Sequence, residues 1–354
     1  MRHFSRILVL LLNLIGAFAL LMVWLYGMIP TNRFTSIFSS WNIAFVFLFA
    51  VNVLFIFFWI GRRHWGYLFL SLTVVLLNLP NLSRSIAFSS DIDNARHADE
   101  YTVLSYNVHY LDMLKRGTSD SLIRFLNQSE ADIICLQEFY YEAGGRDRRW
   151  IFRQLDNYPY YRTESITDNT HKGLAIYSKY PIVHHEFYNY GSNWQGSMVC
   201  DMVIASGDTI RIINSYLQSN RLSASDKAVY QQQDRNHIKK IVVGIVNKLG
   251  KASILRGQQA QLLHDIRTSS PYPVINCGDL NDLPTSYTYR QVRGNDQDAF
   301  LKHGRGFGTT FHEFPYRFRL DYFFTDPSLT TTGFEIRKMD YSDHYPIFLH
   351  FKPN

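Results

Sequence analysis

The first 82 residues contain three long apolar runs and no aspartate or glutamate, and this feature constrains the fold more than any other. Residues 7–28 carry no charge and, at about 1.5 Å per residue, would extend roughly 33 Å as a helix, enough to cross a bilayer core. Residues 41–60 repeat the pattern, with Trp41 and Trp59 near the ends, where interfacial aromatic side chains are expected. The sequence therefore predicts at least two transmembrane helices.

The third apolar run, residues 65–79, is shorter and is followed by Pro80. Its length allows either a third membrane crossing or a helix buried in a protein core. For the first run a cleaved signal peptide is the alternative, and we disfavour it because a second apolar run follows closely. We predict a membrane region at 1–82, a polar linker at 83–100 and a soluble domain at 101–354.

Basic residues predict how the chain is oriented in the membrane. Arg6 precedes the first run, and Arg62 and Arg63 separate the second run from the third. The loop between the first two runs carries only Arg33. The positive-inside rule places the N-terminus and the second loop in the cytoplasm. We expect a multi-pass protein of the cell (inner) membrane with an extracytoplasmic soluble domain, because we favour a third crossing. With only two crossings the soluble domain would be cytoplasmic.

The net charge of +6 belongs mainly to the membrane region. Residues 1–97 hold seven arginines, no lysine and two aspartates, whereas the remainder holds 29 basic and 28 acidic residues. A protein that binds nucleic acid without sequence preference neutralises many phosphates with lysine and arginine. The nearly neutral soluble domain therefore argues against a dedicated polynucleotide binder.

Strand patterns dominate the soluble domain, with one long helical pattern among them. Two apolar runs flank Ser-Gly-Asp-Thr at 206–209, which predicts a hairpin. Residues 226–267 repeat apolar side chains at three- and four-residue spacing, which predicts a helix. The cysteines lie in apolar, strand-like runs, and we predict that all three are buried and unpaired: Cys135, Cys200 and Cys277.

Several short apolar runs of the soluble domain end in, or begin with, a carboxylate, an amide or an imidazole. These polar residues are Glu138 after DIICLQ, Asp279 and Asn281 after PVINC, Asp321 before YFF, and His344 before YPIFLHF. Strands that fill a core and present polar groups at their ends display a site rigidly. Mg²⁺ takes hard oxygen ligands, keeps several waters and needs only one or two protein carboxylates. The pattern therefore indicates a site for a divalent cation and a phosphate ester.

Seven short motifs also follow one another in a recognisable order. They are SYNVH (105–109), LQE (136–138), GLAIYSKYPI (173–182), NSYLQSN (214–220), GDLND (278–282), RLDYFF (319–324) and SDHYP (342–346). This set resembles the endonuclease/exonuclease/phosphatase superfamily, which has the deoxyribonuclease-I-like fold, and the chain looks like a membrane-anchored, bacterial-type member. The resemblance implies an α/β, four-layer sandwich in which helices flank two packed, mainly antiparallel sheets. It also implies hydrolysis of phosphoester bonds, while members of one fold act on different substrates.

The resemblance assigns metal ligands residue by residue. Glu138 matches the main Mg²⁺ ligand of the family, with Mn²⁺ as an alternative ion. Asn107 matches the asparagine beside the metal and its water shell, since an amide can both ligate and donate. Asp343 matches the family's second acid near the metal.

The resemblance also assigns the groups that act on the phosphate. Asp279 would orient or deprotonate the attacking water and Asn281 would donate to a phosphate oxygen, although GDLND alone is also a turn sequence. His344, held by Asp321, would be either a general base or a cation that stabilises the phosphoryl group. Tyr216 departs from the pattern, because many members carry histidine there. Its phenol would act as an acid or hydrogen-bond donor, or it would only pack within the strand.

These expectations define one leading function and its alternatives. The leading function is a membrane-anchored, Mg²⁺-dependent phosphodiesterase whose partners are the lipid bilayer and a phosphodiester substrate. That substrate is either a phospholipid or sphingolipid headgroup or a nucleic acid, so an endonuclease or exonuclease acting on DNA is the alternative. A non-catalytic membrane-bound binding module would leave the ordered polar set unexplained.

Overall fold

The computed structural model describes residues 2–89, 99–109, 116–142, 155–167, 170–191, 195–220, 235–313 and 317–353. Its contacts divide the chain into two compact units that interleave along the sequence. The first unit is Met1–Ile86 with Ser219–Gln258 and Asp282–Gln291, and the second is Ala87–Gln218 with Gln259–Asn281 and Val292–Asn354. The domain boundaries set out above stay a prediction.

The described residues form eight α-helices and fourteen strands. The helices are α1 (Arg2–Met28), α2 (Ser39–Ile43), α3 (Phe45–Arg62), α4 (Trp65–Ser85), α5 (Arg116–Gln128), α6 (Arg235–Thr268), α7 (Tyr287–Arg293) and α8 (Ala299–His303). The first seven strands are β1 (Ala87–Phe88), β2 (Tyr101–Asn107), β3 (Ile133–Glu142), β4 (Tyr160–Thr167), β5 (Thr170–Ser178), β6 (Ile182–Asn189) and β7 (Gly196–Val203). The others are β8 (Thr209–Tyr216), β9 (Val274–Asp279), β10 (Gln297–Asp298), β11 (Arg305–Gly306), β12 (Asp321–Thr325), β13 (Leu329–Ile336) and β14 (Ile347–Pro353).

Two helices of the first unit are long and apolar enough to cross a membrane, Ile7–Met28 and Phe45–Arg62. The second begins later than the predicted run at 41–60, because the helix breaks at Ala44 and the preceding residues form α2. The third apolar run does not end at Pro80: α4 continues to Ser85, with a bend of 44° between its two parts. A proline inside a helix bends it because its ring removes a hydrogen bond and crowds the preceding turn.

Polar side chains connect α1 with α4 inside this unit. The Asn13 side chain donates to Ser71 Oγ at 2.8 Å, and that of Asn78 donates to the Leu20 carbonyl at 3.1 Å. Both pairs are separated by 58 positions, so the two helices run parallel and in register. Such hydrogen bonds hold apolar helices together where no water competes.

Trp59 lies inside the same helix cluster. Its indole Nε1 donates to Asn13 Oδ1 at 2.8 Å, and the side chain is only 5% exposed. Its N–H therefore has a buried partner on α1 and does not need water, and the expectation that Trp59 is an interfacial aromatic stays a prediction.

The second unit contains two six-stranded sheets. One has the order β10-β12-β9-β8-β7-β6 and the other β13-β14-β2-β3-β5-β4. All neighbours pair antiparallel except β2 with β3 and β8 with β9. The predicted α/β sandwich of mainly antiparallel sheets is confirmed, as is the hairpin of β7 and β8. The predicted long helix corresponds to α6, and its predicted start at 226 lies outside the described residues.

Successive side chains of a strand point to opposite faces of the sheet, and this alternation builds two apolar layers. Val103 and Ile133 of one sheet share a buried cluster with Ile212 and Cys277 of the other, so the two sheets pack face to face. Leu104 on the opposite face of β2 packs into a second cluster, to which α5 contributes. The three cysteines are free and buried, as predicted. Each fully buried aliphatic side chain of the two clusters, such as Val103 or Leu104, stabilises the fold by about 1.5–3 kcal/mol.

Candidate active site

One sheet presents three predicted site residues in a row. Tyr216 of β8 is the register partner of Asp279 on β9, and Asp279 is the register partner of Asp321 on β12. Residues that pair across neighbouring strands lie close together on the sheet. Three residues that are at least 40 positions apart along the chain thus meet at one end of this sheet.

Gly278 lets β9 approach β8 closely enough to form this row. Its φ is +127°, in a region that favours glycine, and a Cβ added there would lie 2.0 Å from the Ser215 carbonyl oxygen. Any other residue would clash with the neighbouring backbone. The close approach that places Asp279 beside Tyr216 therefore requires glycine at position 278.

The other sheet contributes Asn107, Glu138 and His344. Asn107 ends β2, and His344 precedes β14 by three residues. Glu138 lies where the pairing of β3 with β5 shifts register between Leu136 and Phe139, and its φ is +52°. A bulge re-aims a side chain, and a left-handed φ outside glycine is uncommon and found at functional sites. The observed outlier at Glu138 supports a functional role for this carboxylate.

Three hydrogen bonds join the two sheets at this point, and each has one partner from either sheet. The Tyr216 hydroxyl donates to Glu138 Oε1 at 2.7 Å, and Asn107 Nδ2 donates to Asp279 Oδ2 at 3.0 Å. His344 Nδ1 lies 2.7 Å from Asp321 Oδ2. The site is therefore assembled by sheet packing, and a shift of one sheet against the other would break all three contacts.

Asn107 bridges two carboxylates. Its Nδ2 donates to Glu138 Oε1 at 3.2 Å as well as to Asp279, and its Oδ1 accepts from the backbone N–H of His109 at 3.1 Å. Two acidic acceptors fix which end of the amide carries the N–H groups. In this arrangement Asn107 orients acids, and its assignment as a metal ligand stays a prediction.

Asn281 closes a tight turn on Asp279. Its backbone N–H donates to Asp279 Oδ1 at 2.7 Å, and its side chain donates to Asp279 Oδ2 at 3.2 Å and to the Leu217 carbonyl at 3.1 Å. Its φ of +52° is a conformation that asparagine tolerates. GDLND thus forms a turn, and the role of Asn281 toward phosphate stays a prediction.

The side chains of Asp279 and His344 are buried, and their surroundings shift the pKa of each. Burial raises the pKa of Asp279 to about 7, and His344 beside it acts in the opposite direction. Burial alone would lower the pKa of His344, but the carboxylates of Asp321 and Asp279 outweigh it and raise that pKa well above its usual value. Its Nε2 lies 3.8 Å from Asp279 Oδ2. Near neutral pH the imidazole is therefore a cation held between two acids.

Asp343 joins the cluster through its neighbour Ser342. The Ser342 hydroxyl donates to the Asn107 carbonyl at 2.8 Å and lies 3.3 Å from Asp343 Oδ1. The imidazole of His109 lies 3.5 Å from the same carboxylate oxygen. The position of Asp343 near Asn107 is compatible with the predicted second acid, and its role as a ligand stays a prediction.

The donor set fits a hard cation. Glu138 Oε1 accepts from Tyr216 and Asn107, whereas within the described residues no group donates to Oε2. Asp321 Oδ1 is buried without a hydrogen-bond partner among the described residues. The ligand atoms of Asp279, Asp321 and His344 all lie within 4.8 Å of one another, close enough to hold an ion. A cation there would compete with the imidazole for Asp321, so we favour Glu138 as the ligand.

Two buried amides next to the site were not selected from the sequence. Gln137 Nε2 donates to Asn214 Oδ1 at 2.7 Å and to Ser105 Oγ at 3.0 Å, and Asn214 Nδ2 donates to the Leu136 carbonyl at 3.0 Å. Gln137 precedes Glu138, so this link ties the base of the Glu138 bulge to β8. The signal was present, because both amides interrupt apolar strands inside LQE and NSYLQSN.

Sequence profiles recognise both parts of the chain. The profile described as "Endonuclease/Exonuclease/phosphatase family" matches residues 104–344. The chain belongs to this family. Its members are metal-dependent hydrolases of phosphoester bonds, and the chain is such an enzyme. A second profile, a domain of unknown function designated DUF8431, matches residues 5–85, and no curated protein matches the sequence.

Solved structures share the fold at low sequence identity. D. rerio TDP2 with a single-strand DNA product matches with a TM-score of 0.51 and 17% identity, over 72% of this chain and 99% of that one. A family member from Beutenbergia cavernae gives 0.51 and 15%, over 72% of each chain. ANGEL2, a 2′,3′-cyclic phosphatase, gives 0.50 and 14%, over 71% and 95%. At these identities the matches show the fold alone.

Proposed function

We propose that this enzyme is a membrane-anchored, Mg²⁺-dependent phosphodiesterase that hydrolyses phospholipid or sphingolipid headgroups by attack of water. One observation carries the hydrolytic part, the three side-chain contacts that cross between the sheets at Glu138, Asp279 and Asp321. They gather three carboxylates, a charged imidazole, an amide and a phenol at one point. Nucleophile activation and charge stabilisation are what phosphoester hydrolysis requires.

The chain's own residues supply a proton acceptor and a cation. Asp279, oriented by Asn107, accepts a proton from the water whose oxygen attacks phosphorus. The imidazolium of His344, oriented by Asp321, stabilises negative charge on the phosphoryl oxygens. The bond from phosphorus to the leaving oxygen breaks, and that oxygen takes its proton from solvent. A Mg²⁺ ion held by Glu138 would supply Lewis-acid stabilisation of the same charge.

Contacts within the first unit support a third membrane crossing. Parallel, in-register packing of α4 on α1 brings Asn81 near Gly27, so both helices end on the same side of the helix cluster. Arg290 Nη1 donates to the Gly27 carbonyl at 2.9 Å, and Thr285 donates to Asn42. These bonds join residues predicted to be soluble to the end of α1 away from its N-terminus and to α2. With a cytoplasmic N-terminus, the catalytic residues would be extracytoplasmic.

Membrane residence favours a lipid substrate over a nucleic acid. A membrane tether raises the effective concentration of the active site near headgroups. The nearly neutral charge of residues 98–354 provides few phosphate contacts for duplex DNA. A nuclease activity is the competing proposal, because D. rerio TDP2, which shares the fold, is in complex with a single-strand DNA product.

The decisive experiment uses the full chain reconstituted into liposomes. Sphingomyelin, phosphoinositides, supercoiled plasmid and bis-p-nitrophenyl phosphate are each supplied with Mg²⁺ or with chelator, and Glu138→Gln is the matched control. We expect Mg²⁺-dependent release of lipid headgroups, faster than plasmid nicking and lost in the variant. Nicking of plasmid without lipid turnover would replace the lipid proposal by the nuclease proposal.

Reporter fusions at residue 90 test the orientation separately. Alkaline phosphatase fused there should be active and a cytoplasmic reporter inactive. The opposite pattern would mean that only two helices cross and that the active site faces the cytoplasm.

A further inference from the structure

The long helix α6 changes from buried to exposed along one face. Leu249, Ser253 and Arg256 lie on this face at three- and four-residue spacing and are at most 5% exposed. Val242, on the same face two turns earlier, is 45% exposed, and Ile245 between them is half-buried. The amino-terminal segment of α6, residues 239–248, therefore extends an apolar face beyond the part of the protein that covers it.

Positive charge is concentrated on the same helix. From Arg235 to His264 the chain has six lysines and arginines and no aspartate or glutamate. The rest of residues 98–354 then holds 23 basic and 28 acidic residues, so it is net negative. Lys239 and Lys240 in the amino-terminal segment are exposed. A basic helix with exposed valines is the composition of a segment that binds an anionic lipid surface.

The buried part of α6 lies against the connection between the first two membrane helices. A Cβ added at Gly250 would lie 3.3 Å from the Ser36 carbonyl oxygen, and one at Gly257 would lie 3.4 Å from Thr31 Cβ. The same connection exposes two large apolar side chains, Phe34 at 67% and Ile37 at 51%. The covered part of α6 is thus in contact with the chain that directly follows the first candidate span.

We propose that the amino-terminal segment of α6 is an interfacial helix that docks on the membrane, with Val242 and Ile245 among the acyl chains and Lys239 and Lys240 at anionic headgroups. The occupant is the bilayer because the segment is basic and continues from a helix packed on the membrane helices. This inference rests on the membrane placement proposed above, and it is independent of the hydrolytic chemistry.

Depth-dependent quenching tests the proposal in the full chain. Single cysteines at Val242 and Asn247 receive a bimane label in vesicles of phosphatidylcholine and phosphatidylglycerol with or without brominated acyl chains. Val242→Cys probes the apolar face, and Asn247→Cys is the matched control because Asn247 is exposed on the opposite face. The three native cysteines are buried, which favours labelling of the introduced thiol. Phe47→Cys, on α3 and 70% exposed, reports whether the membrane helices are inserted at all.

We expect brominated lipid to quench the label at Val242 at least threefold more than the label at Asn247, and strongly at Phe47. Lys239→Glu with Lys240→Glu should reduce quenching at Val242 without changing quenching at Phe47. Quenching at Phe47 with equal, weak quenching at Val242 and Asn247 would overturn the inference while leaving the membrane placement intact. Absence of quenching at Phe47 would overturn the membrane placement itself. Disulfide cross-linking of unlabelled Val242→Cys between copies would identify a second chain as the occupant and would also overturn it.

Discussion

The substitution Tyr216→Phe distinguishes two roles for Tyr216, the residue that departs from the family pattern. Its phenol either orients the proposed Mg²⁺ ligand Glu138 or acts on the phosphate or leaving group. The phenol is 3% exposed and its hydroxyl donates to Glu138 Oε1 at 2.7 Å, so the substitution removes a hydrogen bond to the carboxylate proposed as the Mg²⁺ ligand while keeping the ring. A hydrogen bond to a charged group contributes about 1.5–3 kcal/mol, and loss of a partner that orients a metal ligand weakens metal binding about 10- to 100-fold.

We therefore expect the Tyr216→Phe enzyme to need about tenfold more Mg²⁺ or more for half-maximal activity. Titration calorimetry should give a matching loss of Mg²⁺ affinity, and activity should recover at high Mg²⁺. Tyr158→Phe is the matched control, because its buried hydroxyl donates to the Ala131 carbonyl at 2.9 Å, before the start of β3 and seven positions before Glu138. A fall in turnover that persists at saturating Mg²⁺, with unchanged affinity, would mean that the phenol acts on the phosphate or leaving group. Wild-type behaviour in both measurements would remove Tyr216 from the site.

Three further outcomes follow from the geometry. Asp321→Asn should lower kcat about 100-fold with little change in KM, because it removes the charge that orients and stabilises the His344 imidazolium; an unchanged kcat would contradict that pairing. In chelator, melting should show that stability falls as pH rises from about 4 to 7, because unfolded Asp279 has released its proton in this range while folded Asp279 keeps it. Stability should fall further above about pH 6.5, where unfolded His344 has released its proton while folded His344 keeps it. Asp279→Asn should flatten the lower range, and an identical profile would refute the Asp279 assignment. Gly278→Ala should destabilise by about 3 kcal/mol or more in chemical denaturation, because its Cβ would overlap the Ser215 carbonyl, and a loss below about 1 kcal/mol would show that the strand moves freely.

The candidate site residues could be selected from the sequence because each ends an apolar strand or lies in a short motif, and such local patterns do not need tertiary information; their roles stay predictions. The sequence could not predict that Tyr216 contacts Glu138, since that bond depends on how one sheet packs on the other. The helix break at Ala44 was also missed, because alanine is a strong helix former and nothing local marks the break. The Trp59 partner was missed for the same reason as that of Tyr216, because Asn13 lies 46 positions away.

The most direct test of the account is cation-dependent hydrolysis of bis-p-nitrophenyl phosphate by the full chain, measured beside Glu138→Gln. The variant deletes a charge at nearly constant volume, so circular dichroism should show an unchanged fold. We predict turnover that chelator abolishes and Mg²⁺ restores, with at least a hundredfold lower rate in Glu138→Gln at limiting Mg²⁺. Turnover that survives chelator, or a variant as fast as wild type at limiting Mg²⁺, would contradict the assignment of this site.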